Sequence, residues 1–381
     1  MVMSKRVAFL TSQFSEVKSG PGRFAQYLHK LNIPDLEFFF FSEQITESQR
    51  NEVAVSIPTF VKKLPFSWFF KSWFYLRALK QMDQRQSFDS ILSSDYSLSI
   101  FAGSPICDRL FTMVNDDNYL LIYQPGDHQR GMSAGRKWAR RLGYFFEKAV
   151  VRKSRFVVSN SLYTKGLVEK IYQIPASQSL LLYKAVDLSY FKYQKPASNP
   201  ARRLLFVKND WKRGGLDLIF TALSQLPHQE KLHFTIAGIS ENQKEMVLQI
   251  AHSSGFNGQF VVLGLLNKAQ LAVAFHTADL YLSMSRQEAL GVSCLEAMAS
   301  GLPVLASDAG GLPEVLNFGE AGFLIRKNDV QHLVDTLLVI EDQPLISIEK
   351  SQKAIEHVEK FSLSRLQSNL IRLFGNPSNQ L

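Results

Sequence analysis

Cysteine is scarce in this sequence: Cys107 and Cys294 are the only two in 381 residues. They stand at no metal-ligand spacing and build no disulfide framework, which suits a reducing cytoplasm. No apolar run approaches the ~20 residues that a membrane-spanning helix needs. The opening MVMSKRVAFLTSQF turns polar too soon to supply the apolar region of a signal peptide. The expected location is therefore cytoplasmic, with no crossing of a membrane. Repeats of about 20–50 residues and low-complexity tracts are also missing, which excludes solenoids and disordered arrays. No histidines lie at metal-ligand spacing, and Asp116-Asp117 are adjacent rather than in an acid-x-acid pair. No metal is expected.

What is present fits a soluble globular protein: 46% hydrophobic and 20% charged residues over a length that suits two cores. The charge is uneven. Residues 1–200 hold 27 Lys/Arg against 16 Asp/Glu, a net +11, and residues 201–381 hold 16 against 18, a net −2. A basic half faces something anionic, such as nucleic acid, phospholipid or an acidic glycan, or it is a solvated surface.

Short apolar runs alternate with helical patterns, the signature of parallel sheets made of βαβ units. The predicted strands are RVAFLTSQF, LEFFFFS, FDSILSS and RFVVSNS, then RRLLFVKN, KLHFTIAG, QFVVLG, DLYLSMS and LPVLAS. KYQKPASNPAR has two prolines and no periodicity, so it reads as a linker near residue 195. The expected fold class is α/β, with two doubly wound domains that meet at a cleft beyond the carboxyl ends of their strands.

The run EALGVSCLE carries Glu288 and Glu296 at the ends of an uncharged segment. DLYLSMS leads into it, and a helix is expected from about Gly291 to Ser300, stopped by Gly301 and Pro303. The free N–H groups near Leu290, Gly291 and Val292 would favour a phosphate. Glu288 lies just outside that terminus, and Glu296 lies about 7–8 Å further along the axis. The order carboxylate, anion site, carboxylate matches the sugar, diphosphate and ribose of a nucleotide sugar, because carboxylates accept well from hydroxyls. A helix cap and a solvated glutamate are the plain alternative.

The run SRQEALGVSCLEAMASGLPVLASDAGGLPEVL resembles the donor-site segment of the family 4 glycosyltransferases, with its two glutamates, its Gly-x-Pro-Val turn and its Gly-Gly-x-Pro-Glu loop. SKRVAFLTSQF with SGPGRFAQYL is similar to the family's first strand and glycine-bearing loop, and Ala185-Val186-Asp187 to its Gly-Val-Asp turn. IYQPGDHQRG is similar to a segment of bacterial members that build lipopolysaccharide and other surface glycans. The resemblance implies the two-Rossmann GT-B fold. An acceptor-binding domain would span 1–195, a donor-binding domain 196–361, and a last helix within 362–381 would return to the first domain. SLSRLQSNLIRLFG, apolar at 363, 366, 370, 371, 373 and 374, fits that helix.

The resemblance also implies roles. Glu296 would hold the ribose, Glu288 the donor sugar, and the N–H groups of Leu290, Gly291 and Val292 the diphosphate or sugar. Gly20 and Gly22 would let the opposite loop approach the phosphates. FVKNDWKRGGLDL departs from the family, with Asn209 and Gly214 where an arginine and a lysine are usual. Lys208, Lys212 and Arg213 stand beside them, and Arg213 with Lys212 are expected to neutralise the leaving group. Asp127 and His128, in GDHQ after YLLIYQ, either face the reacting sugar or form a simple turn.

The implied activity is retaining, metal-independent transfer of a hexose from a nucleotide sugar, with uridine diphosphate as carrier, to a glycan or glycolipid acceptor. Two rivals remain. An epimerase or an inactive partner subunit would fit the Asn209/Gly214 departure. A nicotinamide oxidoreductase would fit GPGRFA with Glu43 as the ribose acid, but it leaves the glutamate pair without a task.

VKKLPFSWFFKSWFYLRALKQM mixes cations with aromatics. It reads either as a core helix or as an interfacial segment at the inner face of the plasma membrane. In the second reading Lys62, Lys63, Trp68, Lys71 and Trp73 would face anionic lipid, which, rather than nucleic acid, would explain the basic half.

Overall fold

The computed structural model describes residues 4–14, 20–45, 51–64, 67–94, 105–115, 133–191 and 202–375. The chain forms two compact units, one of Met1–Lys184 with Leu366–Leu381 and one of Ala185–Arg365. The division falls before the proline-rich linker, which itself lies outside the described residues. The reason is local: the Val186 amide donates to the Phe361 carbonyl at 2.8 Å, and Asp187 accepts from Lys268 Nζ at 2.8 Å. Residues from Ala185 onward are thereby tied to the second unit.

The first unit is built on seven strands: β1 (Lys5–Leu10), β2 (Leu36–Ser42), β3 (Glu52–Ala54), β4 (Ser90–Ser93), β5 (Leu110–Val114), β6 (Phe156–Ser159) and β7 (Ser179–Leu181). Their order is β3-β2-β1-β4-β5-β6-β7, and every neighbouring pair is parallel. The sequence reading omits β3, β5 and β7. Two of these have three residues, too few to show a period, and β5 is buried throughout, so nothing alternates along it. The apolar run YLLIYQ, which also reads as a strand, lies outside the described residues.

Pleating divides the four phenylalanines of β2 between two faces. Phe39 and Phe41 meet Phe88 at 5.3 and 5.9 Å, while Phe38 meets Phe374 and Phe40 meets Phe9, both at 5.9 Å. Phe374 belongs to the helix Leu363–Gly375, which buries Leu366, Leu370, Leu373 and Phe374. Lys5 Nζ donates to the Phe374 and Gly375 carbonyls at 3.2 and 2.5 Å, so both charge and packing hold that helix end on the first unit. The return of the last helix is as expected. No helix among the described residues is long and apolar enough to cross a membrane.

The second unit repeats the plan with β8 (Arg203–Val207), β9 (His233–Ala237), β10 (Gln259–Val262), β11 (Leu280–Ser283), β12 (Val304–Ser307) and β13 (Phe323–Ile325). The order is β10-β9-β8-β11-β12-β13, again wholly parallel. Both units are thus doubly wound α/β sheets of Rossmann type. In the second, the strand order reverses between β8 and β11, and ligands of such sheets bind beyond the carboxyl ends at that reversal.

Candidate functional site

Two loops leave the carboxyl ends of β8 and β11 at this switch point. The first starts with Lys208 and the second contains Ser285 and Glu288. Lys208 Nζ donates to the Glu288 carboxylate and to Ser285 Oγ, the latter at 3.3 Å. Lys208 and Glu288 are each 18% exposed, so the pair is sheltered yet reachable. Ser285 is pinned in turn, since its carbonyl accepts from Ser307 Oγ at 2.6 Å.

The helix after this loop is Val292–Ala299, with Gly291 as its N-cap. Gly291 has φ +100°, a left-handed conformation that glycine enters freely, and a Cβ there would lie 2.6 Å from Leu312 Cδ2. The cap makes no side-chain hydrogen bond. The amides at this terminus are therefore not claimed by a capping side chain, the usual condition for an anion site. At the other end Gly301 takes φ +75°, the expected helix stop. The helix begins one residue later than the sequence reading had it, because Gly291 turns out of helical space.

Glu296 is buried to 2% within that helix, among Cys294, Leu295, Ala297 and Met298. Burying a carboxylate is costly, so a helix that keeps one at this depth keeps it for an interaction. The negative field is felt around it. The Tyr281 phenol is pushed well above its ordinary pKa of 10, first by burial and then by Cys294, Glu288 and Glu296. Its hydroxyl lies 2.8 Å from Ser293 Oγ and 3.3 Å from the Val207 carbonyl. Burial and the Glu288 charge push the Cys294 thiol up to about 12, against a smaller opposing pull from Lys208.

The loop after β8 is clamped to the loop after β11. Arg286 donates to both oxygens of Asp217, at 2.8 and 2.7 Å, and to the Lys212 carbonyl at 2.6 Å. The Arg286 amide donates to the Arg213 carbonyl at 2.8 Å, and Arg213 Nε to the Gln287 carbonyl at 3.1 Å. Gly215, at φ +70°, would drive a Cβ to 2.0 Å from the Met284 carbonyl oxygen. Lys212 is exposed. Of the cations expected near the leaving group, Lys208 is the one joined to Glu288, while Arg213 is held on the backbone beside it.

A third loop closes the site from behind. The Gly311 amide donates to the Glu288 carbonyl at 3.0 Å. Gly310 takes φ +60°, and a Cβ on it would lie 1.7 Å from the same oxygen. The sequence reading uses this Gly-Gly pair only as a family mark, and it misses Arg286, Asp217 and Ser285. The double glycine next to Pro313 was the one available signal.

The other expected site residues belong to the first unit. Gly20 and Gly22 are not in a loop but open the helix Gly20–Lys30 of the first unit. Asp127 and His128 lie outside the described residues. Lys71 Nζ and Lys62 Nζ pair with Glu43, at 2.6 and 3.4 Å, while Lys63 is exposed. Glu43 therefore meets lysines, and a ribose-binding task for it finds no support in its contacts. Trp73 is 49% exposed, and the side chain of Trp68 is not among those described.

Residues 191–361 match the family described as Glycosyl transferases group 1. A protein of Klebsiella pneumoniae described as an uncharacterized 41.2 kDa protein in the cps region is 25% identical over 236 residues, which cover 60% of this chain and 63% of that relative. The match thus stops short of two thirds of the relative's length. Among solved structures, WaaG, a glycosyltransferase involved in lipopolysaccharide biosynthesis, aligns with a TM-score of 0.71 at 16% identity, covering 97% of this chain and 100% of that one. HepE of Anabaena, in complex with UDP and glucose, aligns with a TM-score of 0.69 at 15% identity over 98% and 100%.

Proposed function

We propose that this chain, which matches the group 1 glycosyltransferases over residues 191–361 and has the GT-B fold, transfers a hexose from a nucleotide sugar to a glycan or glycolipid acceptor of the cell surface. One observation carries the reading: a lysine–glutamate pair and an uncapped helix N-terminus share the switch point of a doubly wound sheet, with a buried glutamate one turn further on. A nucleotide sugar needs that sequence of groups. The helix N-terminus and Lys208 take the diphosphate, Glu296 takes the ribose hydroxyls, and Glu288 takes hydroxyls of the sugar.

Departure of the diphosphate develops negative charge on its oxygens. Lys208 is placed to meet that charge, with Lys212 and Arg213 on the loop beside it, and electrostatic stabilisation of this kind supplies much of an enzyme's rate. With donor bound, Lys208 passes from Glu288 to the phosphate, which frees the carboxylate to accept from the sugar. The acceptor hydroxyl then attacks the anomeric carbon on the face the diphosphate leaves and gives its proton to an oxygen of the departing phosphate, so the anomeric configuration is retained, and no metal takes part. The UDP and glucose held by HepE and the lipopolysaccharide role of WaaG support a UDP-hexose donor and a surface glycan. The cps region named in the description of the Klebsiella relative is consistent with that reading.

The test is a panel of nucleotide sugars presented to the purified chain with and without EDTA. Release of nucleoside diphosphate from one UDP-hexose, unchanged by the chelator, is the expected result. NMR of the product should show the donor's own anomeric configuration. Release from no nucleotide sugar, together with no thermal shift by UDP, would refute the assignment.

A further inference from the structure

We propose that two helices of the first unit form a docking surface for an anionic phospholipid bilayer, an inference that deepens the reading of a lipid-borne acceptor and rests on it for its purpose. In the helix Ala134–Lys153, residues 138, 141, 145, 148 and 152 recur at three- and four-residue steps and so share one face. That face reads Trp138, Arg141, Phe145, Lys148, Arg152. Trp138 is 58% and Phe145 67% exposed, high values for side chains whose burial would be favourable. The helix has a single acidic residue, Glu147, and it points inward: it is buried and accepts from the Tyr172 hydroxyl. The outward face is left wholly cationic between its aromatics.

The helix Ser67–Arg85 shows the same arrangement independently. Phe70 and Trp73 are 45% and 49% exposed, and Arg77 and Lys80 follow at the next steps of the same face. The Arg77 guanidinium lies 5.6 Å from the Trp73 ring centroid. Its single acid, Asp83, is bonded by both terminal nitrogens of Arg109. The two helices touch through Phe69 and Phe146, with ring centroids 5.2 Å apart, and each of these is the chain neighbour of an exposed phenylalanine, Phe70 and Phe145. The exposed aromatics of both helices therefore flank one contact.

Cations alone would suit any polyanion. Half-exposed Trp and Phe rings spaced between those cations suit a medium that is charged at its surface and apolar just beneath, which is a bilayer interface. Arginine and lysine stems lie along apolar surface while their heads reach phosphate. The contacts also move the site from where the sequence placed it. Lys62 and Lys71 are spent on Glu43, so the surface draws instead on the exposed Arg141 and Arg152 of the helix Ala134–Lys153, which the sequence reading does not mention.

The experiment is flotation of the full chain with vesicles of phosphatidylcholine alone and of equimolar phosphatidylcholine and phosphatidylglycerol. Binding is expected on the anionic vesicles only, and should be lost at about 1 M salt, where the screening length is about 3 Å. Each charge reversed in Arg141→Glu/Arg152→Glu should weaken partition about fivefold or more. Trp138→Ser/Phe145→Ser should weaken it further, with melting temperature and UDP affinity unchanged in both variants. Trp138 emission, obtained by subtracting the Trp138→Phe variant, should shift to the blue on the vesicles. No flotation, equal flotation on both vesicles, or binding to heparin with no flotation would overturn the proposal. Donor cleavage measured without vesicles reports on the catalytic reading separately, so either can fail alone.

Discussion

Arg286 holds Asp217 with both terminal guanidinium nitrogens, at 2.8 and 2.7 Å, across 69 positions of sequence. The bond is bidentate and charge-assisted, the stronger and more directional kind. It sets the distance between the loop that carries Lys208, Lys212 and Arg213 and the loop that carries Glu288. On the proposed reading Arg286 is a positioning residue, acting through the cations assigned there to the diphosphate. Arg286→Ala should lower kcat about tenfold to a hundredfold while UDP affinity falls far less. Arg286→Lys should restore little, because lysine cannot bridge both carboxylate oxygens. The exchange Arg286→Asp with Asp217→Arg should recover part of the rate. Equal loss of UDP affinity and kcat in Arg286→Ala would show a general collapse of the loop instead.

The two glutamates should separate kinetically. Ribose contacts are made alike in ground and transition states, so Glu296→Ala should raise KM and weaken free UDP. Glu288→Ala should mainly lower kcat, with UDP bound nearly as before. Similar losses of UDP affinity in both variants would contradict the division of roles.

Gly310→Ala tests the loop behind the site. The residue sits at φ +60°, and the new Cβ would meet the Glu288 carbonyl oxygen, a backbone atom that cannot swing aside. The backbone conformation alone costs about 1–2 kcal/mol, and displacement of the Glu288 loop adds to it. The melting temperature of the second unit should fall and activity should drop in the same variant. Full activity at an unchanged melting temperature would mean that the loop moves freely.

Cys294 should be chemically silent despite its place in the site. Thiolate is the reactive form, and a thiol pushed up to about 12 by burial and by Glu288 holds almost none at pH 8. Cys107 is buried as well. Thiol reagents should label neither residue in the native protein and both after unfolding in denaturant, as counted by intact mass. Rapid native labelling at Cys294 would show that the helix Val292–Ala299 opens readily.

Acid should loosen the first unit through Asp83. The bonds from Arg109 hold this carboxyl below its usual pKa of 3.8, against a smaller effect of burial. A group whose folded pKa is depressed stabilises above its unfolded pKa, and that contribution disappears as pH falls through the folded value. The melting temperature of Asp83→Asn should thus lie below wild type at pH 7, with the gap closing below about pH 4. A gap independent of pH would assign the loss to packing.

Much of the second unit was legible because its signals are local. The stop at Gly301 and Pro303, the span between Glu288 and Glu296, and the turn into the helix are each set by neighbours in sequence. The clamp was not legible: nothing near Asp217 announces Arg286, and a bidentate pair between a loop and the first turn of the helix Leu216–Leu223 exists only once both strands have paired with the sheet. Gly20 and Gly22 were expected in a loop for a related reason. A Gly-x-Gly run tells that backbone freedom is available but not whether the chain uses it, and here both residues sit in a helical first turn. The exposed face of Trp138 and Phe145 was hidden differently, since its spacing fits a core stripe equally well and the buried side was decided by Glu147 bonding to Tyr172.

The helix Leu363–Gly375 gives the chain an order of assembly. During synthesis, every strand of the second unit has been made before that helix exists, while the first unit, begun earlier, still lacks the cover for Phe38 and Phe111 that Phe374 supplies. The half made first is thus the half finished last. Chains stalled just before residue 366 should carry a protease-resistant second unit beside a first unit that is still cut. Its apolar β2 would stay open to chaperones until the final helix arrives.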